Sequence, residues 1–329
     1  MDTAYTPRHS TDAVHISSGT APQKPQVVFF GSGPVAARSL ELLAEHCDIE
    51  AVITKPQPPH HKEPFPVLQI AERLGLKTFT PYGKKELSEL FADRPVSSQL
   101  GIVIDYGFII NQDVIDYFPL GIINSHFSLL PEWRGADPIT FSILSGQKET
   151  GVSLMLITAG LDEGPLLAQG ICDIPPDATT PQLTEALIGL SNGLLQKMIP
   201  EYIAGKAVSA PQEAVALPGH DQVTYSRKLT KEDGLLDFSK PAVVLEREVR
   251  AFLEWPRSRT ILGGVPVTIT KAHVEPKNSI QIGTIWLEDK RFGFYCGQNS
   301  LEIDRIIPAG KKEMSAEAFL AGYRQLLAP

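Results

Sequence analysis

Residues 121–139, "GIINSHFSLLPEWRGADPI", hold the densest set of groups capable of chemistry. The apolar run Gly121-Ile122-Ile123 delivers Asn124 and His126 two positions apart, then gives way to a loop containing Leu129, Leu130, Pro131, Arg134 and Gly135. In a strand, residues two apart point to the same face, so the amide and the imidazole converge on one small group. The amide donates hydrogen bonds and the imidazole also moves a proton. Together they suit a carbonyl whose oxygen becomes an oxyanion during reaction. Asp162 in "AGLDEGP" is a third candidate. An aspartate in a glycine-flanked turn is ordinarily a turn former, but a carboxylate brought to the imidazole would complete an acid/base and oxyanion set.

A lone histidine on an apolar strand is ordinarily a core residue. His126 differs in standing at the strand's end beside Asn124, where α/β proteins place their ligands. A second motif, "GSGPVA" (31–36), follows a strand and opens a helix as a dinucleotide fingerprint does. The acidic residue that would hold a ribose is missing from the end of the next strand, which reads Thr54-Lys55-Pro56. The glycines are therefore assigned a tight turn in a wound sheet rather than an NAD site.

The elements that must position these residues follow from periodicity. "VVFFG" (27–31), "EAVIT" (50–54), "LGIVI" (100–104) and "GIINS" read as strands, with helices at 35–45, around Phe65–Leu74 and around Lys84–Phe91. This alternation predicts an α/β domain, a doubly wound, mostly parallel Rossmann-like sheet. "GVSLMLIT" (151–158) and "GPLLAQGICDI" (164–174) add a hairpin. Thr180 and Pro181 open a long helix with Leu183, Leu187, Leu190, Leu194 and Met198 expected on its buried face. Residues 205–226 read as a linker. Beyond it, a helix at 241–252 carries Arg247 and Arg250 on its more exposed side. About five short strands with turn residues between them predict a small second domain, an OB-type β-barrel, and Ser315 caps a last helix.

With 329 residues, 43% hydrophobic and 21% charged, the chain has the composition of a soluble globular protein large enough for two domains. No apolar run reaches membrane-spanning length. Three widely spaced cysteines, Cys47, Cys172 and Cys296, fit neither a disulfide framework nor a zinc site, so a reducing cytoplasm is expected. The net charge of −8 is uneven, −9 over residues 1–200 and +1 over the rest, which points weakly to a polyanionic partner for the second half. The expected division is a disordered extension (1–24), a catalytic domain (25–204), the linker, and a C-terminal domain (227–329).

"INSHFSLLPEWRGADPI" followed by "ETGVSLMLITAGLDEGPLL" resembles the formyltransferase family that uses 10-formyltetrahydrofolate. Within that family "YSRKLTKEDGLLDFSKPA", "VRAFLEWPRS" and "PAGKKEMSAEAFLAGYR" are similar to the carboxy-terminal domain of the methionyl-tRNA formyltransferases, and the likeness runs over residues 26–328. The resemblance implies a Rossmann-like catalytic domain joined to an OB-type barrel. It implies Asn124, His126 and Asp162 as catalytic residues, with Ser128, Leu129, Leu130 and Pro131 lining the folate site. It implies transfer of the formyl group of 10-formyltetrahydrofolate, as donor co-substrate, to the free amine of methionyl initiator tRNA, without a metal. A monomer is expected. The alternative reading is a sugar-nucleotide amine formyltransferase with the same catalytic domain.

Three features depart from the family pattern. The segment "KPQPPHHKEPFP" (55–66) has two lysines but neither arginine nor glycine, where the tRNA enzymes carry a longer basic loop. Asp137 and Phe127 replace smaller residues, and both are expected at the pocket mouth. The short loop shifts the expected tRNA contacts to Arg247, Arg250, Lys311 and Lys312 of the second domain.

Overall fold

The structure, a computed structural model, describes residues 24–57 and 65–327. Almost all of the extension expected at 1–24, and Pro58, Pro59, His60, His61 and Lys62 of the 55–66 segment, lie outside the described residues.

The first domain begins with strand β1 (Gln26–Phe30), helix α1 (Pro34–Leu43) and β2 (Asp48–Ile53). It continues through α2 (Pro66–Arg73), β3 (Thr78–Phe79), α3 (Lys84–Ala92), β4 (Gly101–Val103), α4 (Gln112–Tyr117) and β5 (Ile122–His126). Then come the two-residue β6 (Arg134–Gly135), α5 (Pro138–Ser145), β7 (Glu149–Leu156), β8 (Leu166–Asp173) and the long α6 (Thr180–Ile203). The main sheet has the order β3-β2-β1-β4-β5-β7-β8. Its first five strands are parallel, and β7 and β8 run antiparallel at one edge. Strands covered on both faces read as continuous apolar runs, and Val27, Val28, Phe29 and Phe30 are all fully buried. Phe30 packs its ring edge-on against Tyr106 and Phe118, 5.7 and 6.0 Å away, and stacks on Phe91. Truncating it to alanine would cost about 3–5 kcal/mol.

The buried face of α6 is displaced from the expected one. Leu183, Leu187, Ile188, Ser191, Leu195 and Ile199 are buried, whereas Leu190, Leu194 and Met198 are only half-buried. Leu190 and Leu194 flank the core stripe and lean on the edge strand β8, where they cover Gly170. Helix α5 lies in the "WRGADPI" neighbourhood and is apolar nearly all round. It packs on α6 to one side and on a second-domain helix to the other.

The segment expected as a linker contains α7 (Gln212–Val215) and the two-residue β9 (Tyr225–Ser226), which pairs in parallel with β6. The second domain consists of α8 (Ala242–Ala251), β10 (Ser258–Leu262), β11 (Val265–Glu275), β12 (Ile285–Glu288), β13 (Arg291–Tyr295), β14 (Ser300–Pro308), β15 (Met314–Ser315) and α9 (Ala316–Tyr323). Its strands form an antiparallel sheet in the order β10-β11-β14-β13-β12, with β15 on β14. A separate core including Leu245, Val249, Phe292, Ile303 and Phe319 fills it. Ser315 accepts a hydrogen bond from the Ala318 N–H and caps α9 as expected.

Arg247 and Arg250 are not the exposed cations expected from helical periodicity. Arg250 holds Glu246 at 2.6 Å and donates to the Ala178 carbonyl at 2.7 Å, while Arg247 packs against Gly146 and donates to the Ser145 carbonyl. Both are spent on the contact between domains, because that face of α8 meets α5 and the start of α6. Lys311 and Lys312, in the turn between β14 and β15, are exposed. All three cysteines are free. Among the described residues no helix is long and apolar enough to cross a membrane.

Candidate active site

Strand β5 is the innermost parallel strand beside the antiparallel edge, with Asn124 opposite Val103 on one side and Met155 on the other. This double pairing fixes where Asn124 and His126 emerge. The loop between β7 and β8 folds back so that Asp162 reaches both, as the shared face of Asn124 and His126 requires. The Asn124 amide nitrogen is 3.4 Å from Asp162 Oδ1, and His126 Nδ1 is 3.8 Å from Asp162 Oδ2. His126 is 7% exposed, and the Asp162 side chain 15%.

The imidazole is oriented by a group that the sequence did not single out. His126 Nε2 lies 2.9 Å from the Trp133 carbonyl oxygen. A carbonyl only accepts, so Nε2 carries the proton in the neutral ring and Nδ1 is left facing Asp162. Asp162 does not hold the neutral ring by a hydrogen bond; at 3.8 Å it becomes the counter-charge when Nδ1 is protonated. The carboxylate is in turn held by the Gly135 N–H, which donates to Oδ2 at 2.8 Å. Gly135 has φ +105°, and a Cβ there would stand 2.5 Å from the Ser226 carbonyl oxygen. Only glycine meets both conditions.

Ser128, Leu129, Leu130 and Pro131 form a buried wall behind the trio. Ser128 donates to the Glu132 carbonyl at 2.6 Å, and Leu130 packs with Met155 and Leu166. Ser153 joins this wall to β7, donating to the Ser128 carbonyl and accepting from the Leu130 N–H. The exposed aliphatic surface beside these elements is elsewhere, at Ile109, 74% exposed on the loop after β4, and at Leu161, 63% exposed next to Asp162.

The loop carrying Trp133, Arg134 and Gly135 is braced by residues 205–226. Thr224 accepts from the Arg134 N–H through its carbonyl and from the Trp133 N–H through its hydroxyl. His220 is buried between Glu132 and Glu149, with both ring nitrogens 3.0 Å from carboxylate oxygens. Burial opposes a charged ring there, but the hydrogen bonds to the two carboxylates outweigh it and raise the His220 pKa. Gln212, 1% exposed, also reaches this loop. None of these was legible in advance, because no periodicity marks them and their partners are between 48 and 91 residues away in sequence.

At the carboxyl ends of β1, β2 and β4 the "GSGPVA" turn has the structural role assigned to it. The Asp105 carboxylate packs so closely on Gly33 that a Cβ there would lie 2.0 Å from Oδ2. A carboxyl group thus stands before the N-terminus of α1, where a pyrophosphate would need to bind. Asp105 keeps an exposed face. Its partial desolvation pushes its pKa up to about 6, with Lys55 opposing the shift and Asp137 adding to it. Lys55 lies over the Phe108 ring, 4.6 Å from its centre, rather than projecting outward. Asp137 accepts from the Leu229 N–H at 3.2 Å, while Phe127 is buried in the main core and not at a pocket mouth. A separate cavity of about 410 Å³ lies between the domains, lined by residues including Phe141, Arg227, Asp233, Lys240 and Glu248. None of the trio lines it.

Comparisons with known proteins agree with this architecture. Residues 26–199 match the family described as formyl transferase, and residues 228–324 match formyl transferase, C-terminal domain. The methionyl-tRNA formyltransferase of Chloroflexus aggregans is 34% identical over 305 residues, covering 90% of this chain and 97% of that protein. That of Methylococcus capsulatus is 37% identical over 307 residues, covering 91% and 97%. The crystal structure of an N-formyltransferase from Helicobacter canadensis, in complex with folinic acid and dTDP-3-aminofucose, superimposes with a TM-score of 0.63. It covers 85% of this chain and 99% of that one, and at 18% identity it shows the shared fold alone. With both domains matched in order and full-length relatives above 30% identity, the chain belongs to the formyl transferase family, on its methionyl-tRNA formyltransferase branch.

Proposed function

We propose that this chain transfers the formyl group of 10-formyltetrahydrofolate to the α-amine of methionyl initiator tRNA, using Asn124, His126 and Asp162. The observation that carries this reading is the convergence of the three side chains, with Nδ1 of His126 turned toward Asp162 by the Nε2–H···O bond to Trp133. The amine nitrogen attacks the formyl carbon, and the carbonyl oxygen takes up negative charge. One Asn124 N–H donates to that oxygen, as does Nδ1 of His126 when the ring carries its second proton, and the Asp162 carboxylate accepts the proton the amine nitrogen gives up. The tetrahedral adduct then collapses: the bond to folate N10 breaks, N10 takes up the proton that Asp162 had accepted, and the carbonyl re-forms on the new amide. Donors fixed before charge develops contribute more than donors that must reorient.

Ser128, Leu129, Leu130 and Pro131 are buried, so they would back the donor's site from behind, and Ile109 and Leu161 offer uncovered apolar surface for a flat ring. The tRNA backbone would meet the second domain through exposed cations such as Lys311 and Lys312. Replacing both by glutamate should weaken tRNA binding more than Lys55→Ala and should leave the KM for the folate donor unchanged. Losing two phosphate contacts lowers the slope of log K against log salt by about 2. Filter binding at several salt concentrations checks this.

The deciding experiment supplies 10-formyltetrahydrofolate with either methionyl initiator tRNA or a dTDP-linked amino sugar. Formylmethionyl-tRNA is the expected product. Formylation of the sugar alone would assign the catalytic domain to the other acceptor class.

A further inference from the structure

We propose that Gln212, in the segment joining the two domains, is a positioning residue for the reaction. It sets the Asp162 carboxylate by binding the turn that carries it and the strand that holds it. The inference rests on the function proposed above.

Gln212 Nε2 donates to the carbonyls of Asp162 and Gly164, both at 2.9 Å, and its Oε1 accepts from Arg134 Nη2 at 2.7 Å. Both amide hydrogens and one oxygen lone pair are therefore used, and no other side chain of this size supplies two donors and an acceptor at these places. The residue is 1% exposed, although Glu213, Ala214 and Val215 beside it on α7 are all exposed. Reciprocal backbone hydrogen bonds between Ala210 and Leu166, of 2.9 and 2.8 Å, bring it to this depth.

The turn it binds needs holding. Asp162 has φ +49°, in the left-handed region that residues other than glycine occupy sparsely, aspartate more readily than most. Gln212 grips Asp162 by its carbonyl while the Gly135 N–H grips it by the carboxylate. Gly135 directly follows Arg134, so one amide side chain fixes both halves of that clasp. Arg134 depends on it too: the residue is 6% exposed, its Nε has no hydrogen-bond partner, and the carboxylate of Glu163 stands 4.0 Å from Nη1.

Two variants of the full-length protein separate the roles. Gln212→Glu keeps the acceptor for Arg134 but sets a carboxylate against two carbonyl oxygens, and Gln212→Met removes every hydrogen bond at similar volume. Displacing a reacting group by 1 Å can cost about a hundredfold in rate, so both variants should lose about ten- to a hundredfold in kcat while the KM for 10-formyltetrahydrofolate moves by less than about threefold. Because the effect runs through Asp162, adding Gln212→Glu to Asp162→Asn should cost less than about twofold more. Folinic acid binding and thermal unfolding of the Glu variant establish that it is folded. The proposal is overturned if that folded variant keeps kcat within twofold of the parent, or loses the same factor with Asp162 already replaced, or loses folate binding in step with kcat. A parent protein that fails to formylate methionyl initiator tRNA overturns the function itself, whereas an active parent with active variants overturns only the role of Gln212.

Discussion

The two sides of the site are built differently. Asn124 and His126 ride on a central strand paired on both edges, with Ile122 and Ile123 fully buried beneath them, so core packing places them as a by-product of folding the sheet. Asp162 sits on an irregular turn in left-handed backbone, and it is placed by hydrogen bonds from Gly135 and Gln212. A group on a strand inherits the rigidity of the whole sheet. A group on a turn is only as fixed as the few polar contacts that reach it, and here those contacts come from elsewhere in the chain.

The largest effect expected is on the strand side, and it concerns chemistry rather than placement. Asn124→Ala or His126→Ala removes a donor from the developing oxyanion and should lower kcat by about 10²–10³, with circular dichroism unchanged. Near-normal turnover in both would remove the strand from the mechanism. Next comes the turn side. Gly135→Ala forces a Cβ toward the Ser226 carbonyl and imposes about 1–3 kcal/mol of backbone strain, so kcat should fall at least tenfold and the melting temperature should drop. Full activity in that variant would mean that Asp162 is placed without the Gly135 N–H.

A smaller and pH-dependent effect is expected from His220. Its pKa is raised in the fold, so its contribution is fully present below the ordinary value of 6.5 and is lost as pH rises through the raised value. His220→Gln should therefore destabilise the protein most at pH 5.5, by about 1–3 kcal/mol for a buried hydrogen bond to a charged group, and progressively less toward alkaline pH. Denaturant titrations at pH 5.5, 7 and 8.5 give the trend, and a constant difference would show that His220 does not act as a cation. The smallest effect belongs to Asp105, beyond the end of β4. Its pKa is also raised, to about 6, so the fold is more stable with it protonated and loses stability as pH rises from 3.8 through 6. Asp105→Asn should raise the melting temperature at pH 7.5 and have little effect near pH 4, as scanning calorimetry at both pH values would register.

The same contrast explains how much was legible in the sequence. Parallel strands buried on both faces announce themselves as apolar runs, and the two-residue period alone sets Asn124 and His126 on one face. Helix α6 was recognised, yet its buried stripe was misplaced because leucines serve both the core and the edge strand, and hydrophobicity does not separate the two. Arg247 and Arg250 read as solvent-facing because helical periodicity says nothing of a neighbouring domain. Trp133 contributes a backbone carbonyl to the site, and a backbone atom has no residue type to read. Gln212 and His220 sit among prolines and glycines where no period exists, and their roles depend on partners brought close only by the complete fold.

The parallel pairing of Arg134–Gly135 with Tyr225–Ser226 bears on where the chain can be divided. The first family match ends at residue 199, but a fragment stopped there would lack β9, Thr224, His220 and Gln212, and Gly135 would face water where Ser226 now stands. A catalytic fragment therefore has to extend at least through Ser226, and Leu229, Ala251 and Phe252 beyond it also pack into the main core. A proteolytic cut before Ser226 should therefore abolish catalysis even where the main sheet stays folded.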